Sequence, residues 1–175
     1  MEGSLLDEAL ASVTYGVYVV SSIAGSRRNG LIVTTCSQVT SDPPKISITV
    51  SKECLTHDMI RSSGRFSVSI LKRDTPLSFI GRFGHRSGRD IDKFQDVEYR
   101  NGKDGVPIVT ENALGYIEAE VDQELDVGSH TILIGRVIDA VRLSDDEPMT
   151  YSYYRDVKGG RSPRTAPTYD GWADR

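Results

Sequence analysis

Three short stretches carry side chains that a chain patterned only for folding would not need. The first is Thr34-Thr35-Cys36-Ser37-Gln38, a polar patch set inside an otherwise β-forming run. Hydroxyls and exposed backbone amides along a strand suit the rim of a flat heteroaromatic ring, which presents donors and acceptors at its edges. A solvent-facing, threonine-rich strand would read the same way. The second stretch is Ser51-Lys52 with Thr56-His57. A strand ends and a helix begins there, so free amide donors and the positive end of a helix dipole meet a lysine and two hydroxyls. That is a cradle for a phosphate, and ordinary capping of the helix by Thr56 is the plainer alternative. The third is the loop Gly84-His85-Arg86-Ser87-Gly88-Arg89, whose cations would steer or clamp a second phosphate, with a solvated basic loop as the plainer alternative. No Walker or Rossmann glycine spacing occurs, which favours a mononucleotide phosphate over a triphosphate or a dinucleotide fold. His130, in VGSHTILIGRV, stands alone at a strand start, where histidine serves structure or chemistry. The three histidines lack carboxylate neighbours at ligand spacing, so no zinc site is expected.

The elements that would position these residues are mostly strands. Ser4 and Asp7 have the spacing of a capping box, and a helix is expected with Leu5, Leu6, Ala9, Leu10 and Val13 on one face. Tyr15 to Ser22 is dense in β-branched and aromatic residues and is expected as a strand. The polar segment Gly25 to Gly30 is expected as a turn, with LIVTTCSQV as its antiparallel partner strand, ended by Asp42-Pro43-Pro44. Ile46, Ile48 and Val50 alternate with polar residues, as do Phe66, Val68 and Ile70. A short helix is expected over 56–62, and a second after Thr75-Pro76, with Leu77, Ile80 and Phe83 on its apolar face. GRFGHRSGRDIDKF has no period of either kind. Ala113 to Glu124 and His130 to Leu143 are expected to form a long hairpin through Asp126 to Ser129. Beyond Met149 the chain is rich in tyrosine, glycine and proline and is expected to be an extended arm. Such a pattern favours a mainly β, antiparallel, closed or split barrel with short α-helices over a parallel βαβ sheet.

Composition excludes several classes of function. The 175 residues, 38% of them apolar, suffice for one buried core. A net charge of −4 gives no general attraction for nucleic acid or an anionic membrane. No apolar run is long enough to span a bilayer, and the start MEGSLLDEAL is not a secretory signal, so a cytoplasmic protein is expected. Cys36 and Cys54 lack CxxC spacing and are expected as reduced thiols.

The order of these features is more specific than any one of them. Asn29 to Leu71 resembles the core of the flavin reductase-like, FMN-binding split-barrel family: an Asn-Gly step, a Thr/Ser-rich strand, a Pro-Pro corner, a strand ending in Ser51-Lys52, and a helix start containing Thr56-His57. Asp92-Lys93-Phe94 looks like the end of that family's loop. VGSHTILIGRVIDA matches its histidine-bearing strand, with Ser129 where aspartate is usual. The ending MTYSYYRDVKGGRSPRTAPTY is similar to members that work with rubredoxin-type partners. The resemblance implies a Greek-key-like split barrel over residues 1–150 and an arm over 151–175 that packs on the same domain or on the partner of a homodimer. It implies FMN, with FAD as the alternative, and hydride from NADH or NADPH. Thr34, Thr35, Cys36 and Gln38 would border the isoalloxazine; Ser51, Lys52, Thr56, Arg86 and Ser87 would hold the phosphate. His130 would lie near the nicotinamide as the catalytic residue, and Tyr154 would cover the flavin. The leading expectation is a flavin reductase. The alternative is an FMN-binding electron-transfer module that serves rubredoxin or a ferric acceptor.

Overall fold

The computed structural model describes residues 8–169; the capping box at Ser4 and Asp7 lies outside them. A helical turn at 8–11 leads into Tyr18–Ala24 (β1), which pairs antiparallel with Arg27–Val33 (β2). Gly25 takes φ +59°, a conformation that costs glycine nothing, and closes this hairpin within Gly25-Ser26. Arg27 to Gly30 therefore belong to a strand, not to the polar turn that composition suggested. The long run LIVTTCSQV also divides. β2 stops at Val33, the chain bends at Thr34-Thr35, and Cys36–Ser41 (β3) begins a new strand. Asp42-Pro43 contains a cis peptide and turns β3 back along Pro44–Ser51 (β4).

Leu55–Ser63 (α1) follows, then Arg65–Leu71 (β5) and Leu77–Gly84 (α2). A small hairpin of Tyr99–Asn101 (β6) and Pro107–Val109 (β7), too short to show a sequence period, precedes the long hairpin Ala113–Asp126 (β8) and His130–Arg142 (β9). The seven main strands form one antiparallel sheet in the order β2-β1-β5-β8-β9-β4-β3. The sheet curls until β2 approaches β4, which makes the split barrel.

Two apolar clusters flank the curled sheet, and both faces of its central strands are therefore buried. Inside lie Val20, Val33, Ile48, Val50, Phe66, Val68 and Leu133, stoppered by Ile60 of α1. Gly135 sits under the Phe66 ring, where an added Cβ would come within 2.6 Å of it. Outside, Val19, Leu71, Phe79, Ile80, Phe83, Phe94, Met149, Tyr151 and Tyr154 form the second cluster. On α2, Ile80 and Phe83 face this cluster as periodicity required, but Leu77 is exposed and Phe79 takes its place. The arm is not extended from its start: one helical turn runs through Tyr153–Val157 before the chain straightens across the outer cluster.

Candidate functional site

A cleft of about 340 Å³ opens between the ends of β2 and β4, the start of α1, the loop after α2, and the arm. Its floor is polar and buried. Asn29, 3% exposed, donates from Nδ2 to Thr56 Oγ1 at 3.0 Å. That bond uses the Thr56 oxygen as acceptor and leaves its O–H free to donate, and the N-cap of α1 is Cys54, so Thr56 is not the cap. Ser51 is buried beside them and accepts from the Glu53 amide. Next to this group lies Lys93, 4% exposed, whose Nζ donates to the carbonyls of Gly30 and Phe83, each at 2.9 Å. Burial pushes the Lys93 ammonium down to about 8.

The arm forms one wall and is fastened by side chains from distant segments. The carbonyl of Arg161 accepts from His85 Nε2 at 3.0 Å and from the Tyr154 hydroxyl at 2.9 Å. Tyr151 bonds Ser162 Oγ at 2.8 Å and donates to the Thr168 carbonyl. His130 donates from Nε2 to the Thr165 carbonyl at 3.0 Å, while its Nδ1 lies 2.8 Å from Ser129 Oγ. With Nε2 donating to a carbonyl, neutral His130 accepts from the Ser129 hydroxyl, so serine supports this ring without a carboxylate.

Of the residues singled out in the sequence, Thr34, Ser51, Thr56, Arg86, Ser87 and Tyr154 line this cleft together. Thr35 and Cys36 line a second, open cavity of about 600 Å³, bounded by Tyr18, Ser47 and Met149, and the two cavities share Thr49. The bend at Thr34-Thr35 thus turns neighbouring residues into different cavities. Three residues line neither cavity. Gln38 is exposed on β3 and donates to the Thr40 carbonyl. Lys52 lies in the turn after β4 and pairs with Asp126 at 2.6 Å. His130 sits behind the arm, holding Thr165. The sequence reading assigned no site role to Asn29, Lys93, Cys54 or the arm residues Arg161 to Pro167. Asn29 and Lys93 were visible only as members of the Asn-Gly and Asp-Lys-Phe steps; nothing in local sequence brings the arm here.

Burial disfavours the thiolate at both cysteines. Burial pushes Cys36 up to about 12 and also raises Cys54, against the opposing charge of Lys93, so both stay thiols at neutral pH. Tyr154 is likewise raised by burial. Among the described residues no His/Cys/Asp/Glu group has the arrangement of a metal centre. None of the described helices is long and apolar enough to cross a membrane. What remains is a preformed pocket with hydroxyl and ammonium donors on its floor and aromatic residues in its wall.

Comparison with known proteins agrees with that chemistry. Residues 10–160 match the model of the flavin reductase like domain. A ferric-chelate reductase (NAD(P)H) of Archaeoglobus fulgidus is 46% identical over 162 residues, spanning 93% of this chain and 96% of that protein. A high molecular weight rubredoxin of Moorella thermoacetica is 45% identical over 93% of this chain and 71% of its own length. A Streptomyces globisporus NADH:FAD oxidoreductase, solved with NAD and FAD fragments, superimposes with a TM-score of 0.75 at 28% identity, covering 95% of this chain and 94% of that one. This chain belongs to the flavin reductase-like domain family.

Proposed function

We infer that the chain is an NAD(P)H-dependent flavin reductase that holds FMN in the cleft. The observation that carries this reading is the polar floor. Ser51, Thr56 and Lys93 bring hydroxyl and ammonium groups to one cleft, which Arg86 and Ser87 also line from the loop after α2. A phosphate monoester needs such a set, and the cleft volume falls in the range of small-molecule sites. The residues fit the group. Thr34 and Thr49 continue the polar lining toward the second cavity, where Thr35 and Cys36 would border the ring.

The flavin, when bound, supplies the hydride and electron chemistry. The protein positions it and shapes the field around it. Hydroxyls along Thr34, Thr35 and Thr49 would give the ring edge its hydrogen bonds and favour the negative charge that builds on reduction. Tyr154 and the arm exclude water from that side. His130 acts through the arm, fixing Thr165, and is therefore a positioning residue. A homodimer would cover exposed apolar side chains such as Val39, Val141 and Leu143.

The Moorella thermoacetica relative supports a second role, passing electrons from bound flavin to a rubredoxin-type acceptor. Anaerobic mixing separates the two readings. The purified protein should be yellow, and NADPH or NADH alone should bleach it. If neither donor bleaches bound flavin while reduced rubredoxin does, the reductase reading is wrong and the electron-transfer module stands.

A further inference from the structure

The arginines of this chain divide into two groups. Among the described residues nearly every guanidinium is engaged: Arg61, Arg65, Arg73, Arg89, Arg136, Arg142 and Arg155 pair with carboxylates. Arg27 and Arg82 donate to carbonyls, and Arg28 and Arg100 lie over aromatic rings. Three side chains are left without a protein partner among the described residues: Arg86, Arg161 and Arg164. All three line the one cleft, where Glu53 is the only acid. A surface that pairs its arginines everywhere else and leaves these free has concentrated uncompensated positive charge at a single mouth.

One phosphate does not use all of that charge. Its buried donors are already present on the floor, in Ser51, Thr56 and Lys93, with Arg86 nearby. Arg161 and Arg164 are exposed and stand on the arm, at the rim. Their backbone is fixed on both sides. The Arg161 carbonyl is held by His85 and Tyr154, Ser162 is buried against Tyr151, and the Thr165 carbonyl is held by His130. Arg164 thus projects from a short turn with an anchor before it and an anchor after it. Guanidinium forks suit phosphate oxygens, and the backbone that carries them is already in place before an anion binds.

We propose that Arg161 and Arg164 form a second anion subsite, which takes the adenosine-side phosphates of the nicotinamide donor. This rests on the reductase reading for the identity of the ligand, but not for the existence of the subsite. The diphosphate is common to NADH and NADPH, whereas the 2′-phosphate belongs to NADPH alone. The arm then selects the donor, while the floor selects the flavin.

The test uses the FMN-loaded protein and the variants Arg161→Gln, Arg164→Gln and the double substitution, with Arg142→Gln as a control outside the cleft. Calorimetric titration with 2′,5′-ADP and with 5′-ADP reads the subsite without turnover. Each cleft substitution should weaken binding by about tenfold, as loss of a charge-assisted bond at an exposed site does. A larger loss for 2′,5′-ADP assigns the 2′-phosphate; a larger loss for 5′-ADP assigns the diphosphate. In steady state, kcat/KM for NADPH should fall relative to that for reduced nicotinamide mononucleotide, which lacks the adenosine phosphates. FMN affinity should stay unchanged. Unaltered ADP binding in the double variant, or a loss of FMN affinity instead, overturns the proposal. If the arginines hold 2′,5′-ADP but no nicotinamide donor reduces the flavin, the subsite stands and the reductase reading falls.

Discussion

Replacing Lys93 by methionine tests the floor of the cleft most directly. The side chain is 4% exposed, and Nζ donates to the carbonyls of Gly30 and Phe83. Methionine keeps the apolar stem but leaves both carbonyls without a donor, at about 1–3 kcal/mol each. Against this, the substitution removes a charge that burial disfavours. The gap between about 8 in the fold and the ordinary 10.5 corresponds to about 3 kcal/mol. At pH 7 the two effects offset each other, and the variant should be only slightly less stable than the parent. The sign of the pH dependence follows from proton counts. The folded value is depressed, so between pH 8 and 10.5 the unfolded chain binds the extra proton and stability rises with pH. Neutral lysine still has two hydrogens for two carbonyls, so its bonds survive deprotonation. The parent should therefore gain about 3 kcal/mol over Lys93→Met between pH 7 and 10.5, about 6–12 °C in Tm for a domain of this size. Urea melts of both proteins at each pH give the difference, in which titrations common to both cancel. Saturating FMN should shrink the rise, because a phosphate beside Lys93 favours the ammonium; riboflavin should not. A stability difference that stays flat from pH 7 to 10 would refute the reasoning.

Other consequences follow from particular contacts. Gly135→Ala places a Cβ 2.6 Å from the Phe66 ring and should cost about 1–3 kcal/mol in urea denaturation, with the flavin spectrum unchanged. Lys52→Ala breaks only the exposed pair with Asp126, so stability should move by less than about 1 kcal/mol. Its ratio of FMN to riboflavin affinity should hold, whereas Arg86→Gln should lower that ratio by about tenfold; the opposite ranking would place the phosphate on the Lys52 side of β4. Tyr151→Phe removes the bonds to Ser162 and Thr168, and hydrogen exchange across 160–168 should quicken while the barrel strands keep their protection. Equal loosening of barrel and arm would show that Tyr151 serves the core alone.

Much of the barrel was legible because its strands are written locally. Ile46, Ile48 and Val50 alternate with period two and lie inside the curled sheet, and the β8–β9 hairpin was bounded within a few residues by its turn at Asp126 to Ser129. Failures occurred where one residue overrides a composition. Gly25 closes its hairpin so tightly that the charged Arg27-Arg28-Asn29 segment becomes a strand, with Arg28 covering Tyr99 and Asn29 turned into the cleft. The bend at Thr34-Thr35 cut a continuous β-forming run, and no glycine or proline marks it. The site was legible only in part, for a related reason. Residue type indicated Ser51 and Lys52 equally as phosphate ligands, but β4 ends at Ser51, whose side chain is buried in the cleft, while Lys52 lies in the turn beyond it and pairs with Asp126. The cation that reaches the floor is Lys93, from a loop with no period, and the wall comes from an arm whose anchors are up to 76 residues away at His85. Such closures are set by tertiary packing and leave no local pattern to read.

Lys93 and the arm arginines show how the fold divides its charge. Exposed and unpaired, Arg161 and Arg164 remain fully hydrated and cost the folded state little. Lys93 is different: its burial opposes ionisation, and a phosphate dianion beside it removes that opposition. Binding of FMN should then stabilise the whole domain by more than its direct contacts supply, and should take up a proton above pH 8. An anion held only by the arm relieves no such strain and should add affinity without proton uptake. Proton uptake measured by calorimetry above pH 8 in buffers of different ionisation enthalpy separates the two sites. Uptake should accompany FMN and be absent for 2′,5′-ADP; uptake with both would mean that the second anion also reaches Lys93, and that the cleft has one phosphate site rather than two.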